Sequence, residues 1–147
     1  MSQRAQGSRG VAVKASPGGG GRHAVLHDFC MTLPYGALAA AGGLASLLLG
    51  AQAAGWQVAG AGAAVLLASA LSLKAWRAGG SSLPYTLVSG AAAGWVAFSM
   101  WQRFSAGLSP LVSGAMLALS GAAAAFCLYN AAAGGNPPPS AKKEAAQ

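Results

Sequence analysis

His27, Asp28 and Cys30 are the tightest group of chemistry-bearing side chains in this chain, with His23 one helical turn upstream. Imidazole, carboxylate and thiol at that spacing can hold a metal ion. The same residues also suit a plainer role, as the polar start of an apolar helix, and that reading is favoured. Acid–base catalysis by paired carboxylates is excluded, because the chain has one Asp (Asp28) and one Glu (Glu144, near the C-terminus). Cys30 and Cys127 make neither a disulfide framework nor a zinc set. Gly18–Gly21 is a flexible run, not a phosphate loop, since no Gly-Lys-Ser/Thr follows it. The expectation is therefore no enzyme, no metal and no cofactor. What remains are three cations at the ends of apolar stretches: Lys74, Arg77 and Arg103. Their bland role is to anchor helices by reaching to the membrane surface. Their functional role would be to receive the anionic head of an amphiphile, with Asp28 near the same boundary.

The elements that position these residues follow from where charge is missing. Of 147 residues, 54% are hydrophobic and only 7% charged, against about 25% in an ordinary soluble domain. No charged residue lies between Asp28 and Lys74, between Arg77 and Arg103, or between Arg103 and Lys142. Residues 29–73 as one helix would be roughly 68 Å long at 1.5 Å per residue, too long for one bilayer. That stretch must turn once, with Gln52–Gly55 the expected place. The reading is four apolar helices, near 33–51, 56–74, 84–102 and 109–131. They form a membrane domain over 28–133, flanked by a basic segment 1–27 and a Gly/Pro-rich tail 134–147.

With four spans, Arg4, Arg9, Lys14, Arg22, Lys74, Arg77, Lys142 and Lys143 share one side and Arg103 stands alone on the other. This asymmetry matches the excess of Lys and Arg on one side of membrane proteins. It also accounts for the net charge of +7 without nucleic acid as a partner. The expected partner is the lipid bilayer. The second and fourth helices are rich in alanine, so one of them is able to lie at the interface instead of crossing.

Pro34-Tyr35 and Pro84-Tyr85 read as two helix starts, with proline at a first position where its missing N–H is no loss. Tyr35, Trp76, Tyr85 and Trp101 are expected as interface anchors. The repeated Leu-Pro-Tyr at 33–35 and 83–85 hints at two related hairpins. Glycines recur through every span, and Gly90-Ala-Ala-Ala-Gly94 is a literal G-x-x-x-G. Gly36, Gly43, Gly90 and Gly94 are the expected packing positions, where backbones can approach closely. A soluble four-helix bundle would need polar outer faces, and none of the four segments carries charges at helical spacing. The fold class is thus an all-α membrane protein, a compact bundle of four apolar helices. A homo-oligomer is among the expected partners.

Three strings carry a resemblance: His27-Asp-Phe-Cys-Met-Thr-Leu-Pro-Tyr-Gly36, Leu71-Ser-Leu-Lys-Ala-Trp-Arg77 with Gly80-Ser-Ser-Leu-Pro-Tyr85, and Gly134-Gly-Asn-Pro-Pro-Pro139 with lysines after it. Together they frame residues 27–143, and they resemble the plant fatty acid export (FAX) proteins of the transmembrane protein 14 family, plastid-type branch. The resemblance implies a small helical protein of the plastid inner envelope that assists export of free fatty acids. The family's animal members have three crossing helices and one lying at the interface, so the resemblance leaves open whether the second helix spans or lies at the interface. By position, it places Lys74, Arg77 and Arg103 where the family carries basic residues, and Asp28 in its His-Asp start. Residues 1–27 hold four basic residues and no acid, which suits a transit peptide. Two other functions stand beside this one: a non-transporting assembly subunit, and a carrier of another amphipathic anion or a porphyrin precursor.

Overall fold

The computed structural model describes residues 27–135, and these form four helices with no strand among them: α1 (Asp28–Leu48), α2 (Gln52–Arg77), α3 (Leu83–Ser105) and α4 (Pro110–Ala132). The expected transit peptide, the basic N-terminal segment and the lysines of the tail lie outside the described residues. α1 packs chiefly on α2 and α3 on α4, while α2 joins the two hairpins. The chain thus forms two helical hairpins, but Leu33-Pro34-Tyr35 lies inside α1 whereas Leu83-Pro84-Tyr85 opens α3.

All four helices stop in the same way. Gly50, Gly79, Gly107 and Gly134 adopt positive φ. The N–H of the next residue then bonds a carbonyl five residues back, as in Ala51 to Ser46 and Leu108 to Arg103. This satisfies carbonyls that a helix end would otherwise leave without partners. Gly50 therefore sets the first turn, and the expected turn at 52–55 is instead the first turn of α2.

The first helix begins earlier than expected, at Asp28 and not at residue 33. A carboxylate in the first turn favours the positive end of the helix dipole, and the Phe29 amide donates to Asp28 Oδ1 at 2.8 Å. Thr32 Oγ1 adds a bond to the Asp28 carbonyl at 2.9 Å. Pro34 consequently lies inside α1, where it cannot donate to the Cys30 carbonyl. Pro84 keeps its place in the first turn of α3.

The outer surface is apolar. Leu48, Leu49 and Leu111 are more than 80% exposed, and Trp56, Trp95 and Trp101 also face outward. The interior is mixed. Val65, Val96, Ala39, Ala93 and Ala123 form its middle, yet Asp28, Thr32, Ser69, Ser72, Thr86 and Ser120 are buried too. A soluble bundle has the opposite arrangement, whereas lipid leaves buried polar groups to pair with one another. α1, α2 and α4 are long and apolar enough to cross a membrane. The helix outside that group is α3, not the alanine-rich α2 or α4. Serines, glycines, Gln102 and Arg103 dilute its apolar content.

Close approach is concentrated between α1 and α2. A Cβ on Gly43 would meet the Ala59 amide nitrogen at 2.2 Å, and one on Gly62 would meet the Ala40 nitrogen at 2.3 Å. Gly36 is tight against Leu66 at 3.1 Å, and Gly90 against Cys127 Cβ at 3.0 Å. Gly94 meets nothing within 4 Å, so the literal G-x-x-x-G presents one contact position and one open one.

Candidate functional site

The antiparallel order puts the starts of α1 and α3 and the ends of α2 and α4 at one end of the bundle. Asp28, Lys74 and Arg77 are there, while Arg103 closes α3 at the other end. Asp28 and the three cations are thus divided between two sites separated by roughly the length of α3, about 35 Å for its 23 residues.

At the Asp28 end, a single carboxylate organises three helices. Asp28 is 2% exposed. Ser72 Oγ of α2 donates to its Oδ2 at 3.0 Å, with Oδ1 at 3.3 Å, and Thr86 Oγ1 of α3 donates to Oδ2. Ser69 extends the cluster by donating to Thr32 Oγ1 at 2.7 Å. Lys74 and Arg77 are exposed on the last turn of α2, where cations favour the negative end of the helix dipole. Trp76 is half-buried. Its ring meets His27 edge-on at 5.0 Å and Phe29 at 5.9 Å, which ties the end of α2 to the start of α1.

Tyr35, read from the sequence as an interface anchor, is a core residue. It is 7% exposed and its hydroxyl donates to Ser120 Oγ at 2.9 Å. The early start of α1 causes this, since Tyr35 falls two turns inside the helix. Tyr85 is half-buried and Trp101 exposed.

The Arg103 end is built differently. A cavity of about 330 Å³ opens among all four helices, lined by Val58, Met100, Val112 and Met116 with Arg103 at its side. That volume is at the lower end of small-molecule sites. Ala51 and Ser109, which precede the first turns of α2 and α4, also line it, and neither helix has a side-chain cap. The starts of α2 and α4 and the half-buried Arg103 therefore border a mainly apolar chamber. Among the described residues the one acid is Asp28, at the opposite end. Such a chamber can hold a monoanionic head by a charge-assisted bond and an apolar tail beneath it. A second cavity, of about 310 Å³, lies between α3 and α4 against Thr86, Gly90, Gly94, Ala124, Cys127 and Leu128. No group of three or more His, Cys, Asp or Glu able to hold a metal occurs among the described residues.

Sequence reasoning overlooked Ser72 and Thr86 as the partners of Asp28, and the α4 side of the Arg103 chamber. The signal for the first was present: hydroxyls at 69 and 72, and at 82, 86 and 89, recur at helical spacing in apolar helices.

Protein FATTY ACID EXPORT 5 of Arabidopsis thaliana is 42% identical over 80 residues, covering 54% of this chain and 67% of that protein. The chain belongs to the fatty acid export family. A second member, Protein FATTY ACID EXPORT 1, chloroplastic, of the same plant, is 38% identical over 104 residues, 65% of this chain. The match spans 46% of that longer relative. No protein-family model and no solved structure matches the chain.

Proposed function

We propose that this protein moves free fatty acids across a plastid membrane, the inner envelope, without catalysing a reaction. The observation that carries the reading is Arg103 at the side of an apolar chamber open at one bundle end. A fatty-acid tail is at ease in lipid, while its carboxylate is expensive at mid-bilayer. Arg103 and the starts of α2 and α4 offset that cost at the boundary, and Val58, Met100, Val112 and Met116 receive the first part of the tail. Lys74 and Arg77, exposed at the far end, meet the carboxylate on the other face. The names of the two relatives support the fatty-acid cargo. The chloroplastic relative and the acid-free basic segment 1–27 support the plastid.

Purified protein in liposomes, assayed for fatty-acid transfer with an internal pH dye, tests the reading. Losing a hydrogen bond to a charged group costs about 1.5–3 kcal/mol, so Arg103→Gln should weaken transfer about 10- to 100-fold. Arg77→Ala should lower it less, because Arg77 is exposed. Wild-type protein that fails to accelerate transfer would assign the chain to assembly or structural roles. Labelled fatty-acid efflux from isolated plastids, with a tagged protein located in the same preparation, tests the compartment.

A further inference from the structure

The chamber beside Arg103 is too shallow for a long fatty acid. Ala51 and Ser109 stand at its mouth, and Val58 and Met116 lie seven residues further along α2 and α4. At 1.5 Å per residue each path is about 10 Å deep. Its floor is closed: Val58 and Met100 are 7% and 4% exposed and belong to the core, with Met116 packed against it. An extended chain advances about 3.3–3.6 Å for three bonds, so about nine bonds fill that depth. Octanoate fits, whereas palmitate, with fifteen carbon–carbon bonds, does not. One wall, however, is open. Gly42 of α1 lines the chamber, yet it is exposed, and a Cβ on it would meet nothing within 4 Å. Val112 of α4 also lines the chamber and is 60% exposed. α1 and α4 pack far less on each other than α1 on α2 or α3 on α4. Two turns from Gly42, toward the Asp28 end, the bond between Tyr35 and Ser120 closes the seam. The hydroxyls beside the opening are spent on backbone: Ser46 donates to the Gly42 carbonyl at 2.8 Å and Ser113 to the Leu108 carbonyl at 2.7 Å. A tail lying there strands neither hydrogen.

We propose that the seam between α1 and α4 is a lateral portal, through which the tail of a long-chain fatty acid passes from the chamber into the bilayer while its carboxylate stays at Arg103. The proposal rests on the fatty-acid reading above and adds how the site treats chain length. Gly42 is its specificity-determining residue, because the absence of a side chain keeps the opening clear. The part of the tail beyond the reach of the floor, about six bonds in palmitate, lies against lipid, which is as apolar as the chamber wall. No helix has to move for this, since Gly42 and Val112 are already exposed. The chamber then selects the head group without limiting the tail. Short acids lie wholly inside it, and long acids lie partly in the membrane.

Gly42→Leu tests the portal in the liposome assay, read as transfer above that of protein-free vesicles. Its side chain enters open space, so the fold should hold. Palmitate transfer should fall about tenfold more than octanoate transfer, the lower end of what an apolar pocket discriminates. Gly60→Leu, at an exposed glycine of α2 outside the chamber, should keep the wild-type ratio. An equal effect on both acids, no effect on either, or the same shift in Gly60→Leu overturns the proposal. A second measurement uses the wild-type protein in vesicles and needs no transfer: palmitate carrying a photoreactive diazirine on its last carbon. On illumination its label should fall on lipid and on outward residues of α1 and α4. Label on Val58 or Met100 would mean that the tail is folded inside the chamber, and there is no portal. Wild-type liposomes without transfer would defeat the transport reading alone, and the crosslinks would still decide where the tail lies.

Discussion

Gly43→Ala offers the sharpest test of how the helices are held together. The new methyl carbon would lie 2.2 Å from the Ala59 nitrogen and 2.6 Å from its Cα. Ordinary contact begins at 3.4 Å, so the shortfall exceeds 1 Å. The obstacle is backbone and cannot rotate away. α1 and α2 must part, and the loss spreads along their whole seam because dispersion falls steeply with distance. Overpacking of this kind costs about 1–3 kcal/mol, against about 0.5–1 kcal/mol returned by removing glycine from a helix interior. A net loss of about 1 kcal/mol is expected. Gly60→Ala is the matched control, since its Cβ would meet nothing within 4 Å. It should be neutral or up to about 1 kcal/mol more stable. Reversible unfolding of both variants in mixed micelles, followed by far-UV circular dichroism, measures the difference. If Gly43→Ala matches or exceeds Gly60→Ala in stability, the close approach of α1 and α2 is wrong.

Other perturbations probe the remaining links. Tyr35→Phe removes the bond to Ser120 and should lose about 0.6 kcal/mol, a typical value for such bonds between membrane helices; chemical unfolding in mixed micelles reads it. Leu67→Lys, on an exposed position near the middle of α2, should raise the insertion free energy by about 3 kcal/mol. An unaffected glycosylation-mapping assay would show that this face does not meet lipid. Arg103→Gln, described above, probes the chamber end of the bundle by fatty-acid transfer.

Much of the architecture is legible along the chain because it depends on what each segment contains. The uncharged runs between Asp28, Lys74, Arg103 and Lys142 demand helices in lipid, and four helices are found in those runs. The two hairpins and the isolation of Arg103 follow from antiparallel order alone. Helix ends were less legible. Pro34-Tyr35 has the local look of a start, but the bonds to Asp28 one and a half turns earlier outweigh it.

Which residues meet is a different kind of fact. The glycines of α1 and α2 are no more conspicuous in sequence than Gly90 and Gly94, yet Gly43 and Gly62 touch opposing backbone while Gly94 faces open space. Helix rotation decides that, and rotation depends on every contact along a seam at once. For the same reason Asp28, Ser72 and Thr86, distant in the chain, come together only when three helices assemble. The sequence alone determined that the chain enters lipid, where its charges lie and how many helices it makes, because those properties belong to segments. The tertiary structure decided that Tyr35 is core, that Arg103 borders a chamber and that Asp28 sits in a ring of donors, because those properties belong to pairs of surfaces.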